Sequence, residues 1–269
     1  MERPSWAPEE IATDRPNPAR MYDALLGGSH NFAADREAMR QAVAMVPDLP
    51  KVALGNRAFL RRAVRFMMAE GIRQFLDIGA GIPTVGNTHE IAHAIDPQCR
   101  VVYVDIDPVA VTHANAMLKG NPAAIAVRGD LRHPEALLSD PQVREFLDFD
   151  QPIGVLLIAV LHMLSDAEDP RGVAATLREL VPAGSYVAIS HLTTAHRPDD
   201  AARLGAHAVQ RSRVPIFFRS YDEIAGFFDG LTVVEPGLVG LAQWRPESPD
   251  DVLEPPERSL GLAGVGRKD

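Results

Sequence analysis

The stretch FLDIGAGIPT, residues 75–84, decides how this 269-residue chain is read. Phe75 and Leu76 lead into Asp77, and Gly79 and Gly81 follow, so a short buried strand runs into a tight turn. Glycines there let the backbone turn sharply and approach a ligand with no Cβ in the way. Two classes of ligand use such a turn. A dinucleotide fingerprint needs Gly-x-Gly-x-x-Gly, and here the third position is Thr84, after Pro83. A carboxylate at Asp77 would also repel a pyrophosphate. The same carboxylate suits a ligand that carries an ammonium and a sulfonium but no phosphate.

Outward from this stretch, strands and helices alternate. Gln74–Ile78, Arg100–Asp105, Ala123–Val127, Ile153–Val160, Ser185–Ser190 and Leu231–Glu235 read as strands. The uncharged run Ile153–Val160 is what a strand buried on both faces of a parallel sheet requires. Between the strands, Asn87–Ile95, Pro108–Leu118 and residues 199–212 read as helices. Ser165 with Glu168 and Ser220 with Glu223 are capping boxes, expected to open helices to about Leu180 and over Tyr221–Phe228. This rhythm predicts an α/β, Rossmann-like, doubly wound sheet. The rhythm breaks after Glu235, where a Pro-rich stretch precedes Leu262–Lys268. That last piece is expected as a seventh strand, antiparallel beside the sixth.

Upstream, residues 1–18 read as a loose lead-in. Residues 19–47 are helical with an interruption near Gly27-Gly28-Ser29-His30. Residues 51–70 are an amphipathic helix that Gly71 ends. The expected organisation is one domain over 19–269, with 19–70 a helical cap over the ligand edge and 71–269 the Rossmann-like core.

In such sheets ligands bind beyond the carboxyl ends of the strands, where strand order reverses. The candidate residues therefore follow the strands. Asp77, Gly79, Ala80 and Gly81 come after the first. Asp105 ends the second and can accept from a ribose diol, with Ile106 placed for an adenine face. Asp107 reads as an N-cap, with Pro108 at the first helical position. Asp130 and Leu131 follow the third strand, where an acidic side chain can accept from an adenine amino group; the alternative is a loop aspartate capping a turn. Ala159 and His162 follow the fourth. His162 is a candidate general base, or a histidine that only lines the pocket; His191 is a second, weaker candidate. A ligand with ribose, adenine, ammonium and sulfonium and no phosphate is S-adenosylmethionine (SAM). A nicotinamide-dependent oxidoreductase stays open as another reading of the turn.

The order DIGAG, YVDIDP, RGDL and a strand ending in LHML resembles the class I SAM-dependent methyltransferases. More narrowly, the chain resembles an uncharacterised bacterial family, formerly a domain of unknown function, labelled "S-adenosyl methyltransferase". The pieces carrying this are Pro18 to Asp23, Leu26-Gly27-Gly28, Asn31-Phe32, Asn56-Arg57, FLDIGAGIPT, Asn87-Thr88-His89-Glu90 and Gly264 to Lys268. The resemblance covers roughly residues 15–268. It implies SAM as cofactor, with S-adenosylhomocysteine (SAH) as product. It implies Asp77, Gly79 and Gly81 around the methionine part, Asp105 on the ribose, Asp130 and Leu131 at the adenine, and Ala159 and His162 near the methyl. Tyr22, Gly28, Asn31 and Arg57 match family-specific positions expected to close over the cofactor, with Arg57 reaching its carboxylate.

Composition narrows the acceptor. A net charge of −9 gives no electrostatic footprint for generic nucleic-acid binding. The strand-four end Ala159-Val160-Leu161-His162 lacks the Asp/Asn-Pro-Pro-aromatic pattern of nucleic-acid amine methylation. Cytosine C5 methylation needs a Cys nucleophile, and the one cysteine, Cys99, precedes the second strand. No carboxylate or cysteine cluster points to a metal. No apolar run reaches membrane-spanning length, and MERPSWAPEE has no signal-peptide core, so a cytoplasmic location is expected. The expected function is methyl transfer from SAM to a small-molecule oxygen or nitrogen acceptor. A SAM-binding sensor without turnover is the other class of protein these residues allow.

Overall fold

The computed structural model describes residues 12–82, 86–212, 215–248, 255 and 258–269. Most of the expected lead-in, Pro83 and Thr84 of the quoted stretch, and much of the Pro-rich stretch lie outside the described residues. Three helices come first: α1 (Pro18–Leu25), α2 (Ala33–Met45) and α3 (Leu49–Ala69). Asn17 caps α1 by accepting from the Ala19 amide. The buried Asp35 carboxylate accepts from the Phe32 amide at the start of α2, and from the Arg20 guanidinium at 3.0 Å. It thereby ties α1 to α2. On α3, Phe59, Leu60, Ala63, Val64 and Met67 are buried at three- and four-residue steps. Gly71, at φ +95°, then stops the helix.

From there the chain runs β1 (Gln74–Ile78), α4 (Thr88–His93), β2 (Arg100–Asp105), α5 (Pro108–Met117), β3 (Ala124–Arg128), α6 (Pro134–Leu138) and α7 (Pro141–Phe146). It continues with β4 (Gly154–Ile158), α8 (Pro170–Leu180), β5 (Tyr186–Leu192), α9 (Pro198–His207) and α10 (Tyr221–Ala225). It ends with β6 (Thr232–Val233), β7 (Val239–Gly240) and β8 (Gly261–Arg267). The sheet order is β3-β2-β1-β4-β5-β8-β6. The first five strands pair in parallel, and β8 pairs antiparallel with β5 over seven positions, from Tyr186↔Arg267 to Leu192↔Gly261.

Alternation along each strand sorts side chains to two faces. Phe75, Val101, Tyr103, Leu156 and Ala188 pack against α3, α4 and α5. Leu76, Val102, Val104, Val155 and Leu157 pack against α6, α7 and α8. Each fully buried side chain of this size contributes about 1.5–3 kcal/mol, so both layers are firmly fixed to the sheet. Strand order reverses between β1 and β4, and that is where the crevice opens.

Two expectations need correction. The Ser165–Glu168 capping box is present, but it closes one 3₁₀ turn, Asp166–Glu168. Asp169 then adopts φ +48° and caps α8 anew through the Gly172 amide, with Pro170 at the first helical position. The expected sixth strand, Leu231–Glu235, is broken. Pairing with β8 ends near Val234, whose amide donates to Val265 O. Pro236 has no N–H to continue the ladder, and Gly237 turns the chain at φ +89°. The same edge of β8 is then taken up by Val239↔Ala263 and Gly240↔Leu262. The described sheet therefore has eight strands rather than seven. β8 does lie antiparallel beside the sixth strand, but it is inserted between that strand and β5.

Candidate active site

The ends of β1 and β2 build the first part of the site. The turn after β1 holds Gly79 at φ +72° and Gly81 at φ +67°. The Gly79 and Ala80 amides both donate to Val104 O, at 2.8 and 3.2 Å. A Cβ on Gly79 would sit 2.2 Å from Val160 Cγ2, so only glycine fits between β1 and the end of β4. The Gly81 amide donates to Asp105 Oδ2 at 2.8 Å, and the Asp107 amide donates to Asp105 Oδ1 at 2.8 Å. Asp105 thus sets the shape of both turns. It retains lone pairs for further donors, since a carboxylate offers about four acceptor positions. Burial, more than any other cause, pushes its carboxyl above the usual range.

Asp77 is 6% exposed and accepts from Thr88 Oγ1 at 2.7 Å. Its carboxyl is pushed up to about 6. Burial is the largest cause. The Thr88 hydroxyl and the Arg57 guanidinium oppose it, and the neighbouring Asp105 carboxylate adds to it. Arg57 donates from Nη2 to Gly86 O at 2.7 Å, while its buried Nε has no hydrogen-bond partner among the described residues. This constellation fits the amino-acid end of SAM: a glycine cradle without Cβ atoms, a buried carboxylate short of a cation, and a guanidinium nitrogen short of an acceptor. Further along, Ile106 is half exposed and stands beside Leu131 in the cavity wall. Asp130 is also in the wall, held by Arg132, whose Nη2 lies 2.6 Å from Oδ2. That pairing is the first cause of its lowered carboxyl pKa. Asp107 caps α5 by accepting from the Val109 amide at 2.9 Å.

The ends of β4 and β5 form the next part. Ala159 adopts φ +55°, a left-handed conformation that costs a non-glycine residue roughly 1–2 kcal/mol. Such strain is held where the surroundings over-determine it. Here the Ala159 amide donates to Ser190 Oγ at 2.9 Å. Three residues on, the 3₁₀ turn Leu161–Met163 brings His162 into the wall, 5% exposed. Its Nδ1 is buried with no partner among the described residues. Burial, followed by His191 and Arg219, pushes its imidazole well below the usual histidine range, so it is neutral at pH 7. His191 is differently placed. Its Nδ1 lies 2.6 Å from Leu192 O and its Nε2 lies 3.0 Å from Arg219 Nη1. The carbonyl fixes the proton on Nδ1 and leaves Nε2 accepting from Arg219, so both ring nitrogens are engaged.

A hydrogen-bonded chain joins the cap to the ends of β4 and β5. Ser190 Oγ donates to Asn56 Oδ1 at 2.5 Å. Asn56 Nδ2 donates to Tyr22 Oη at 3.0 Å, and Tyr22 Oη donates to Ala53 O at 3.2 Å. This links α1 and α3 to the β5 end, and through Ala159 to the β4 end. Asn56, Ser190, Thr88 and Arg219 carry much of this geometry and were not singled out as site residues from sequence. A polar residue inside a helix or strand gives no periodic signal of its own.

A cavity of about 390 Å³ connects these parts. Tyr22, Arg57, Asp77, Gly79, Ala80, Gly81, Asp105, Ile106, Asp130, Leu131, Ala159 and His162 all stand in its wall. Gly28 and Asn31 do not. Asn31 Nδ2 donates to Asp23 Oδ2 at 2.7 Å and to Gly28 O at 2.8 Å, and a Cβ on Gly28 would fall 2.0 Å from Asp23 Oδ1. Both residues build the turn between α1 and α2. Among the described residues, no group of three His, Cys, Asp or Glu is placed to hold a metal ion.

The family model of S-adenosyl methyltransferases matches residues 4–269. The chain belongs to the S-adenosyl methyltransferase family. It is therefore a SAM-dependent methyltransferase, and SAM is its cofactor. Its structure is similar to a crystal structure from Thermobifida fusca described as a candidate methyltransferase. The identity is 40%, the TM-score 0.92, and 99% of this chain and 100% of that one are covered. It is also similar to a DUF574 family protein from Streptomyces avermitilis, at 35% identity and TM-score 0.91, covering 96% and 99%. Human N-acetylserotonin methyltransferase in complex with SAM matches at 13% identity and TM-score 0.50, covering 95% of this chain and 63% of that one. That likeness shows the fold alone. Among curated proteins, none matches the sequence.

Proposed function

We propose that this S-adenosyl methyltransferase methylates an oxygen or nitrogen of a small molecule enclosed beneath the helical cap. The observation that carries this is the continuity of the cavity. One wall runs from Gly79 and Asp105 past Ala159 and His162 to Met39, Leu204 and Phe218. Bound SAM supplies a methyl group activated by its sulfonium. The chain's own residues hold and orient it. Asp105 takes the ribose hydroxyls, Ile106 and Leu131 flank the adenine with Asp130 at its edge, and Arg57 and Asp77 take the carboxylate and ammonium. Positioning in an enclosed site can supply an effective molarity on the order of 10⁵ M or more. His162, neutral at pH 7, accepts the proton that the acceptor gives up. Its imidazole is unprotonated at pH 7, so it is free to take that proton as the acceptor atom bonds to the methyl group and the methyl–sulfur bond breaks to leave SAH.

Residues 19–70 act as the cap and 71–269 as the core of one domain, and the protein works in the cytoplasm. A net charge of −9 supports a small acceptor over long nucleic acid, and no described helix is long and apolar enough to cross a membrane. Incubation with methyl-labelled SAM and a fractionated extract tests the reading. Label is expected in the low-molecular-weight fraction. Label confined to protein or nucleic acid overturns it.

A further inference from the structure

The two ends of the cavity differ sharply in charge. Asp77, Asp105, Asp107, Asp130, Arg57, Arg132 and Glu168 all lie at the cofactor end. The cap end is walled by Met39, Leu49, Val52, Leu204, Ile216 and Phe218, most of which pack together as one apolar cluster between α2, α3 and α9. Among the described residues, no Asp, Glu or Lys and no Arg other than Arg57 lines the parts of the wall built by α2, α3, α9 and β8, where His207 is the one further titratable side chain. Two buried nitrogens there have no hydrogen-bond partner among the described residues: His162 Nδ1, and His207 Nε2 on α9.

We propose that the cap end takes an uncharged, largely apolar hydroxyl compound as methyl acceptor, with the hydroxyl read by His162. This deepens the small-molecule reading above and rests on it. An aliphatic amine would enter as an ammonium and a carboxylic acid as a carboxylate. Each would lose its hydration against a cap-end wall that holds no described Asp, Glu or Lys, at a cost of several kcal/mol. Arg57 offers no remedy, because it stands at the cofactor end, where the proposed function commits it to the carboxylate of SAM. A hydroxyl enters neutral. It both donates and accepts, so it satisfies the unpaired His162 nitrogen in either tautomer. The apolar remainder of the molecule gains about 25 cal/mol for each Å² it buries against the leucine, methionine and phenylalanine walls.

Calorimetry on the full chain loaded with SAH tests this at pH 7 with three probes of one shape: 2-naphthol, 2-naphthoate and naphthalen-2-ylmethylammonium. 2-Naphthol is expected to bind about tenfold or more tighter than either ion, a difference of about 1.4 kcal/mol or more. Ile216→Asp and Val52→Asp, both at partly exposed wall positions, are each expected to weaken 2-naphthol about tenfold and leave SAH affinity unchanged. Preferential binding of either ion overturns the proposal. So does absence of 2-naphthol binding to SAH-loaded protein, or 2-naphthol affinity that neither variant alters. The outcomes stay separable from the reading beneath them. Label found only in macromolecules refutes the small-molecule acceptor itself, whereas a preferred ion with label still in small molecules refutes only the hydroxyl class.

Discussion

Replacing Asp77 by Asn removes a charge that the fold solvates poorly and keeps a group of nearly the same shape against Thr88. The carboxyl titrates at about 6 instead of 3.8. At about 1.4 kcal/mol for each factor of ten in proton affinity, its ionised form is disfavoured in the folded protein by about 3 kcal/mol. The sign follows from linkage. Below about pH 4 both states hold the proton and no difference exists. Between about pH 4 and pH 6 the unfolded chain ionises first and binds fewer protons, so rising pH favours unfolding. Ligand-free protein is expected to lose about 3 kcal/mol of stability through that window on account of Asp77 alone. Urea titrations of wild type and Asp77→Asn at a series of pH values report this contribution, because every group that does not sense the Asp77 charge cancels in the difference. The variant should become more stable than wild type as pH rises from about 4 to about 7, with the dependence on urea unchanged. Parallel stability curves for the two proteins would show that the Asp77 carboxylate is well solvated, and the argument for a buried charge awaiting a cationic ligand would fall.

Gly79→Ala places a Cβ 2.2 Å from Val160 Cγ2 at φ +72°. It should lower Tm and SAH affinity together, and Gly79→Ala with Val160→Ala should recover only some of the steric part, because the Val160 Cβ would still lie 2.7 Å away, and none of the roughly 1–2 kcal/mol of backbone strain. A single variant with wild-type Tm would show that the turn is not built this way. Asp105→Ala is expected to weaken SAH by about 1–3 kcal/mol, the cost of losing hydrogen bonds to a charged group. Calorimetry reporting an unchanged Kd would place the ribose elsewhere. Asn56→Leu leaves Ser190 Oγ without its acceptor and Tyr22 without one donor. It should cost about 1–3 kcal/mol in urea unfolding, and a neutral result would mean that the Ser190–Asn56–Tyr22 chain does not hold the cap.

Sequence reading succeeded where one pattern dominates. β1 and β2 were legible to the residue because an uninterrupted apolar run meets an aspartate at its end, and α3 because its apolar stripe spans many turns. It failed where tertiary partners decide. The Ser165 box signals a helix start, but Asp169 and Pro170 impose a second start four residues later. β7 is two residues long and exists only because β8 offers it an edge. In the site, the aspartates after the strands were legible because topology alone puts strand ends at the crevice. Gly28 and Asn31 looked functional for the same reason that they are distinctive: Asp23 needs a neighbour without a side chain and an amide to hold it. Ser190 was silent, and Asn56 showed only through the resemblance, because the two are more than a hundred positions apart along the chain.

The insertion of β8 between β5 and β6 governs the order in which the molecule can be assembled. β5 ends at Leu192 and its partner begins at Gly261, so during synthesis the ribosome releases a helix-flanked parallel sheet whose β5 edge stays unpaired until β8 emerges. An open edge of this kind is a template for adhesion to other chains, and long-range pairing of this type is slow. The step most exposed to aggregation is therefore the arrival of Gly261–Arg267. A nascent chain stalled before it should need chaperone protection that the finished protein does not.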